Sequence, residues 1–478
     1  MANNDQSILS ERLQLLRELG YSDLDMPYQA SGVHSNKRSQ GLLDTNCDIR
    51  FLDTIAVALT TGKPGDVFAA ALDKREHIQL VLAKNGPPTH EDITAANELT
   101  SLIGTPSVTD AMDLFPFLLR RCGANINKRI HSLHMSIQSR ELRDDFRLAL
   151  QAYVPMSDIQ AEFPGVGTIL GTYGDAVPPF AMVWGDLVEK ITNKTAHGLD
   201  AENISSSKST YAYLFILADI LARSRFLKTL VDDCNLSNRE RKERVEKLKR
   251  RLGKVCQYLS GITHLIQRAK RLFPIAHRWV MDTFPGTGEG DFDLCNNAYD
   301  AVLRGLDQPS LSPDVVDKLD KRFPFILSNW ERQQTVHARV HAEIRIILRL
   351  GPLSPDELSI HPIGVGKRSC FCCVLWIESH NRIFGTQWMT SGSHGKPHAN
   401  WALPGAACPY AIEADGRSSI DNAVLEAVGM RLVDTLDWLF PGQKRTLDEQ
   451  VSSGDESSDD EQKMSGWHLK VAAVAGLQ

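Results

Sequence analysis

Val340-His341-Ala342-Glu343-Ile344 and, further on, Lys367-Arg368-Ser369-Cys370-Phe371-Cys372-Cys373-Val374 are the stretches on which the reading of this chain turns. The first holds a His-x-Glu and the second a Cys-x-x-Cys, with Cys370 standing 27 positions after Glu343. Apolar spacing predicts a helix from His341 to Leu350 and another from Cys370 to Glu378, so each motif opens a helix. Two thiolates and one imidazole occupy three corners of a tetrahedral zinc site and leave the fourth to water, the open arrangement of catalytic rather than structural zinc. Zinc makes such a water acidic enough to give hydroxide near neutral pH. Glu343 lies two positions beyond His341, beside the metal without displacing a ligand, where a carboxyl can carry a proton. Helix N-termini favour anions, so Cys370 and Cys373 bind metal as thiolates. Cys372, between them, points off the metal into the core.

Outward from these motifs, short apolar runs alternate with helical ones from about Phe325. Val336 to Val340, Ile360 to Val365 and Phe384 to Met389 read as strands, and Ile420 to Phe440 as a long amphipathic helix. Strand, helix, strand, helix, strand predicts a mainly parallel sheet with right-handed crossovers. The first 280 residues read instead as helices joined by polar loops. Helical spacing marks Ile8 to Leu19, Ala111 to Leu119, Leu142 to Tyr153 and Tyr211 to Val231. Phe163-Pro164-Gly165 and Val177-Pro178-Pro179 punctuate them. The fold class expected is α+β overall: a mostly α-helical N-terminal region followed by an α/β C-terminal domain. The boundaries expected are 1–285 for the helical region, 286–324 for a connecting segment and 325–442 for the zinc domain. An acidic segment, 443–466, and a short tail, 467–478, follow.

His341-Ala342-Glu343 together with Ser369-Cys370-Phe371-Cys372-Cys373 resembles the signature of the cytidine-deaminase-like superfamily, His-x-Glu followed by Pro-Cys-x-x-Cys. The run Ser391-Gly392-Ser393-His394-Gly395-Lys396, then Trp401-Ala402-Leu403-Pro404, is similar to a largely fungal group of nucleic acid/nucleotide deaminases. In that group a long helical region commonly precedes the deaminase domain. The resemblance covers roughly Phe325 to Phe440. It implies a three-layer α/β domain with zinc held by His341, Cys370 and Cys373 and with Glu343 as proton shuttle. Hydrolytic deamination of a nucleobase, in a nucleotide or in single-stranded nucleic acid, is the implied reaction. Two features depart from the superfamily pattern: Ser369 stands where proline is usual, and of the two strands expected before the His-Ala-Glu helix only Val336 to Val340 is visible.

Each part has a plainer reading. An isolated Cys-x-x-Cys also marks structural zinc or redox chemistry, and an isolated His-x-Glu means little. It is the pair at this spacing, each at a helix start, that favours the catalytic site. The alternative function is a non-catalytic interaction protein that keeps a structural zinc site in a deaminase-like domain. Trp388, His394 and Lys396 are candidates for a substrate pocket, the aromatic stacking on a base, against a plain structured polar loop. Ile363-Gly364-Val365-Gly366-Lys367-Arg368-Ser369 lacks the first glycine and the hydroxyl residue of a phosphate-binding loop and is rejected as one.

At 478 residues the chain exceeds what one hydrophobic core usually supports. A net charge of −6 with 23% charged residues does not by itself call for a nucleic-acid or membrane partner. The first residues carry no basic start and apolar run, so no secretory signal is expected. Tyr211 to Ala222 is too short to span a bilayer and contains Asp219. Nine cysteines, three of them within four positions, suit metal binding in a reducing compartment better than a disulfide framework. An intracellular place, cytoplasmic or nuclear, is therefore expected, with no membrane partner. Asn238 to Arg271 carries twelve basic and three acidic side chains. It reads first as a solvated helix face with i,i+4 pairs and second as a phosphate-contacting stripe. Leu447 to Met464, acidic and serine-rich, cannot bury an apolar face and is expected to be disordered.

Overall fold

The computed structural model describes residues 2–23, 39–165, 177–196, 204–232, 239–272, 274, 276–351, 360–414 and 418–441. The acidic segment 447–464 and the tail from Trp467 lie outside the described residues. The protein is α+β, with many helices and a mixed sheet. It divides into two compact units, one of 1–53, 67–88 and 276–478, the other of 54–66 and 89–275. Among the described residues no helix is long and apolar enough to cross a membrane.

In the first unit the strands are β1 (Phe68–Asp73), β2 (Gln79–Lys84), β3 (His277–Trp279), β4 (Gly290–Asp293), β5 (Thr335–Ala338), β6 (His361–Val365) and β7 (Trp388–Thr390). Five of them form one sheet in the order β3-β2-β1-β6-β7. β1 runs against both its neighbours, while β2–β3 and β6–β7 pair in parallel.

Several expectations are corrected here. The sheet is mixed rather than mainly parallel, because β1 is antiparallel in its middle. Val336–Val340 does not join it. Its first part falls in β5, which among the described residues pairs with β4 in a separate two-stranded sheet, Gly290 opposite Ala338 and Asp293 opposite Thr335, while Arg339 bridges Trp401. The strand that pairs with β6 on its antiparallel side is instead β1, from residues 68–73, inside the stretch read as helical, while β7 lies on the other side. β1, Phe-Ala-Ala-Ala-Leu-Asp, is alanine-rich, and alanine is the best intrinsic helix former. Pairing decides otherwise, since β1 is hydrogen-bonded on both sides, Ala69 opposite Ala83 and Val365, Ala71 opposite Val81 and Ile363. Phe384 ends a helix rather than starting a strand: Phe371–Phe384 closes on Gly385 in the left-handed conformation (φ 65°), and β7 begins only at Trp388.

Side chains alternate across the strands. Ala69, Ala71, Val81, Ala83, Ile363 and Val365 enter one core with Ile344, Ile347, Phe371 and Trp376. On the opposite face a Cβ at Gly364 would come within 2.0 Å of the Leu52 carbonyl carbon, so the backbone of helix Ser39–Leu59 lies directly against β6 there. Helix Ala342–Leu350 has nine residues, too few to be stable alone. It is held by burial, since all of its residues except Arg349 are buried, and burying one Ile or Leu stabilises by about 1.5–3 kcal/mol. The N-terminal helix Ala2–Glu18 packs against the C-terminal helix Ser419–Leu439. Its buried Gln6 donates to the Trp401 carbonyl (2.9 Å) and accepts from the Leu403 amide (2.8 Å), pinning that loop.

The second unit is helical: His90–Gly104, Phe115–Ile137, Arg140–Ala152, Ile159–Glu162, Phe180–Ala196, Ile204–Arg223, Arg225–Asp232, Arg239–Cys256 and Ile262–Leu272. The helix expected over Tyr211–Val231 is two helices. Ser224 breaks the run, its hydroxyl capping the second helix by accepting from the Leu227 amide. The basic segment is helical over Arg239–Cys256 and Ile262–Leu272, with most of its charges outward, but Arg241, Arg244 and Arg251 are half-buried, Arg244 paired with Asp145 and Arg251 bonded to the Ser132 carbonyl. Val245, Leu248, Leu252 and Val255 are buried, while Lys242, Lys247, Lys249, Arg250 and Lys254 are exposed.

Candidate metal centre

The centre is built where β6 ends. Cys370 caps helix Phe371–Phe384 in an extended conformation (φ −82°, ψ 172°), and His341 caps helix Ala342–Leu350 in a similar one (φ −72°, ψ 154°). Both stand one residue ahead of the first helical turn, with Glu343 and Cys373 inside it. The two helix starts converge. His341 Nδ1 lies 3.6 Å from Cys370 Sγ and 3.4 Å from Cys373 Sγ, and the sulfurs are 3.4 Å apart. A tetrahedral zinc with the usual Zn–S and Zn–N distances would separate such ligand atoms by about 3.6–3.8 Å. The triangle fits a metal of that size. Among the described residues it is the one group of three His, Cys, Asp or Glu side chains placed to hold an ion, and all three are buried.

The donors are prepared for a cation. Burial opposes the Cys370 thiolate, but the Cys373 thiol and the His341 imidazole outweigh it and hold Cys370 well below the ordinary thiol pKa. Cys373 goes the other way, pushed well above by burial and then by Cys370. A second thiolate therefore needs positive charge between the sulfurs, which a divalent metal brings. Trp401 Nε1 donates to Cys373 Sγ at 3.3 Å, a bond that also favours the thiolate. His341 Nε2, the nitrogen facing away, has no hydrogen-bond partner among the described residues. Cys372 belongs to the apolar core, where burial raises its thiol pKa.

Glu343 is 3% exposed, and its Oε2 has no hydrogen-bond partner among the described residues. Burial pushes its carboxyl above the ordinary range, with His341 pulling it back. Its charge in turn acts on His341 and Cys373. The side chain is thus a buried acid beside the ligands, outside the triangle they form.

The loop Ser391–His398 is tied to the Cys370 turn through Ser369 N to Gly392 O (3.1 Å), His394 N to Ser369 O (3.1 Å) and Phe371 N to Lys396 O (3.2 Å). His394 thereby comes beside the cluster. Its ring is 5.4 Å from that of His398, which is 6.5 Å from the His341 ring. Burial lowers His394 to about 4, against the pull of Cys370, and lowers His398 as well. Lys396 is in the same loop with an exposed side chain. Trp388 is elsewhere. It pairs with His361 at the first residue of β6, and its backbone is held by Asn381. Asn381 lies eight residues beyond Cys373, about 12 Å along the helix, so Trp388 is not brought to the cluster.

Two further groups were not legible as part of the site. His398 follows His394 by four positions, a spacing that could have drawn attention to it. Asn85 gave no such signal. It follows β2, and its Oδ1 accepts from the Ala342 amide at 2.8 Å, at the residue next to His341.

Residues 340–405 match the sequence profile of the OTT_1508_deam-like deaminase family. No curated protein and no solved structure matches the chain significantly. The matched stretch holds His341, Glu343, Cys370 and Cys373 along with His398 and Trp401. The chain therefore carries a deaminase-like segment, of the cytidine-deaminase-like kind, and the buried His-Cys-Cys cluster lies within it.

Proposed function

We propose that this protein is a zinc-dependent hydrolytic deaminase acting on a nucleobase within a nucleotide or a nucleic acid. The observation that carries the reading is the convergence of His341, Cys370 and Cys373 with a buried Glu343 whose Oε2 is unpartnered among the described residues. Zinc held by the three ligands would supply, at neutral pH, a water acidic enough to act as hydroxide. In the overall change a ring carbon loses its exocyclic amine and gains oxygen, so water is consumed and ammonia leaves.

The protons are the business of Glu343. Its carboxylate takes one proton of water and passes it to the ring nitrogen, then takes the remaining proton from the hydroxyl added to the ring carbon and delivers it to the departing amine, which leaves as ammonia while the carbon–oxygen double bond forms. A carboxyl raised by burial suits a group that must act as base and acid near neutral pH. Burial disfavours the charged forms of His394 and His398, so these two rings add little positive charge beside the ligands. The burial of the ligands and of Glu343 keeps bulk water out. Helices Ala342–Leu350 and Phe371–Phe384 share a core with one face of the sheet, and Ser39–Leu59 lies on the other. That supports the three-layer cytidine-deaminase-like arrangement.

The test is ammonia release by the zinc-loaded full chain. The substrates are cytidine, adenosine, their monophosphates and single-stranded oligonucleotides, with base conversion read by mass spectrometry. Turnover of at least one is expected. A zinc-loaded protein inert on all of them would favour the non-catalytic interaction protein instead.

A further inference from the structure

We propose that Arg339 is the phosphate-recognising side chain of this site, so that the substrate is bound by a phosphate as well as by its base. The inference rests on the deaminase reading above for where the base is held.

Arg339 stands two residues before His341 and is exposed. Its backbone is fixed on both sides: the amide donates to the Asn400 carbonyl (2.9 Å), and the carbonyl accepts from the Ala402 amide (3.0 Å). Trp401, bridged to it there, is the residue whose indole donates to Cys373. The guanidinium lies across Gly86. The positive φ of +84° favours glycine there, and Arg339 Nη1 lies 2.6 Å from where a Cβ would stand. Nη1 reaches the Asn85 carbonyl at 3.5 Å, a long contact, while the Asn85 side chain holds the Ala342 amide. A cation is thus held against the turn from which the His341 helix starts.

What it lacks is an acid. Arg345, whose charge Arg339 acts on, is committed to Glu289. Among the described residues no carboxylate forms an ion pair with Arg339. A guanidinium offers five donors in a planar fork suited to phosphate oxygens, and the contact to Asn85 uses one of them. A fixed, exposed arginine with its fork unspent is what an anion site needs before the anion arrives.

A second cation stands on the other motif. Lys367, exposed, precedes Cys370 by three residues, and its charge acts on both His341 and His398. The starts of the two ligand-bearing helices add positive potential of their own. A free nucleoside has no charge with which to use any of this. A nucleoside monophosphate and a nucleic-acid strand both do, and they share the chemistry that Arg339 would read.

The experiment measures binding, so it does not depend on turnover. Zinc-loaded full chain is titrated calorimetrically with cytidine, CMP, adenosine, AMP and a mixed-sequence single-stranded oligonucleotide. The expected result is that a phosphorylated probe binds about tenfold or more tightly than the nucleosides. In Arg339→Gln that ratio falls towards one, with zinc content, melting temperature and nucleoside affinity unchanged, and Arg339→Lys restores part of it. A structural role for Arg339 would move melting and nucleoside affinity, not the ratio. Preference for CMP or AMP points to a mononucleotide, and preference for the oligonucleotide to a strand. Equal binding of nucleosides and phosphorylated probes, no binding of any phosphorylated probe, or a ratio that survives Arg339→Gln overturns the proposal. Phosphate-dependent binding without ammonia release would sink the deaminase reading and leave the phosphate site standing.

Discussion

Asn85 Oδ1 accepts a 2.8 Å hydrogen bond from the backbone amide of Ala342, 257 positions further along the chain. That amide is one of the first-turn donors that a helix cannot satisfy itself. The bond therefore both caps the helix and fixes the residue beside His341. Asn85→Ala would leave the buried donor unpaired, at about 1–3 kcal/mol of stability. Metal affinity should weaken by the ~10–100-fold typical of losing a group that orients a ligand. Asn85→Asp, which keeps an acceptor, should lose less. Competition against a chromophoric chelator gives the affinity and thermal melting the stability. Unchanged affinity in Asn85→Ala would mean that His341 is held without it.

The ligand triangle makes a prediction of metal content. Wild-type protein should carry about one zinc per chain, and His341→Ala, Cys370→Ser and Cys373→Ser should each fall far below that. Cys372→Ser should keep its metal, because Cys372 lies in the core and outside the triangle. Elemental analysis of the four variants decides it, and loss of zinc from Cys372→Ser would refute the assignment.

Glu343 separates catalysis from coordination. Glu343→Ala removes a buried carboxyl that lies beside the ligands, so zinc binding and fold should survive. Ammonia release on the best substrate should drop by the ~10²–10⁴-fold typical of a positioned acid–base group. His341→Ala should lose both metal and activity. Turnover that persists in Glu343→Ala would remove the proposed proton path.

The stability of the sheet-bearing unit should depend on pH through two aspartates, the half-buried Asp53 and the buried Asp421. Burial raises Asp53 to about 7, against its hydrogen bond from the Val365 amide, and raises Asp421 to about 6, against bonds from the Gly405 amide and Trp376. An unfolded aspartate titrates near ~3.9, so the unfolded chain releases these protons first. The stability they contribute is complete below about pH 4 and is lost as pH rises through 6 for Asp421 and 7 for Asp53. Urea midpoints between pH 4.5 and 8 should therefore slope less in Asp53→Asn and in Asp421→Asn than in wild type. Parallel slopes in all three proteins would show that both groups titrate normally.

What could be read from the sequence was local. His341-Ala342-Glu343 and Cys370-Phe371-Cys372-Cys373 lie at helix starts, within a stretch whose own apolar pattern announces those helices, and the structure brings the motifs together through the short path of β6. The long helices were legible for the same reason. Arg239–Cys256 and Ser419–Leu439 have one apolar side each, a feature that neighbouring residues alone specify. His394 also lay within reach of a local reading, being a few residues from a motif already singled out.

The rest was decided at a distance. β1 lies within the stretch read as helices joined by loops, its alanines favour a helix, and only its pairing with β2 and β6 makes it a strand. Val336–Val340 alternates well enough to suggest a sheet strand, yet the partner it found was β4, and nothing in either sequence names the other. Trp388 has the right chemistry for a base-stacking residue and stands at the wrong end of β6–β7. A strand's register fixes position, whereas composition does not. Asn85 is the clearest case. Nothing in the sequence marks it, and its place beside His341 exists only because β2 and helix Ala342–Leu350, far apart in the chain, pack together. Short-range periodicity is written in consecutive side chains, but which buried donor meets which acceptor across hundreds of residues is settled only when the backbone closes.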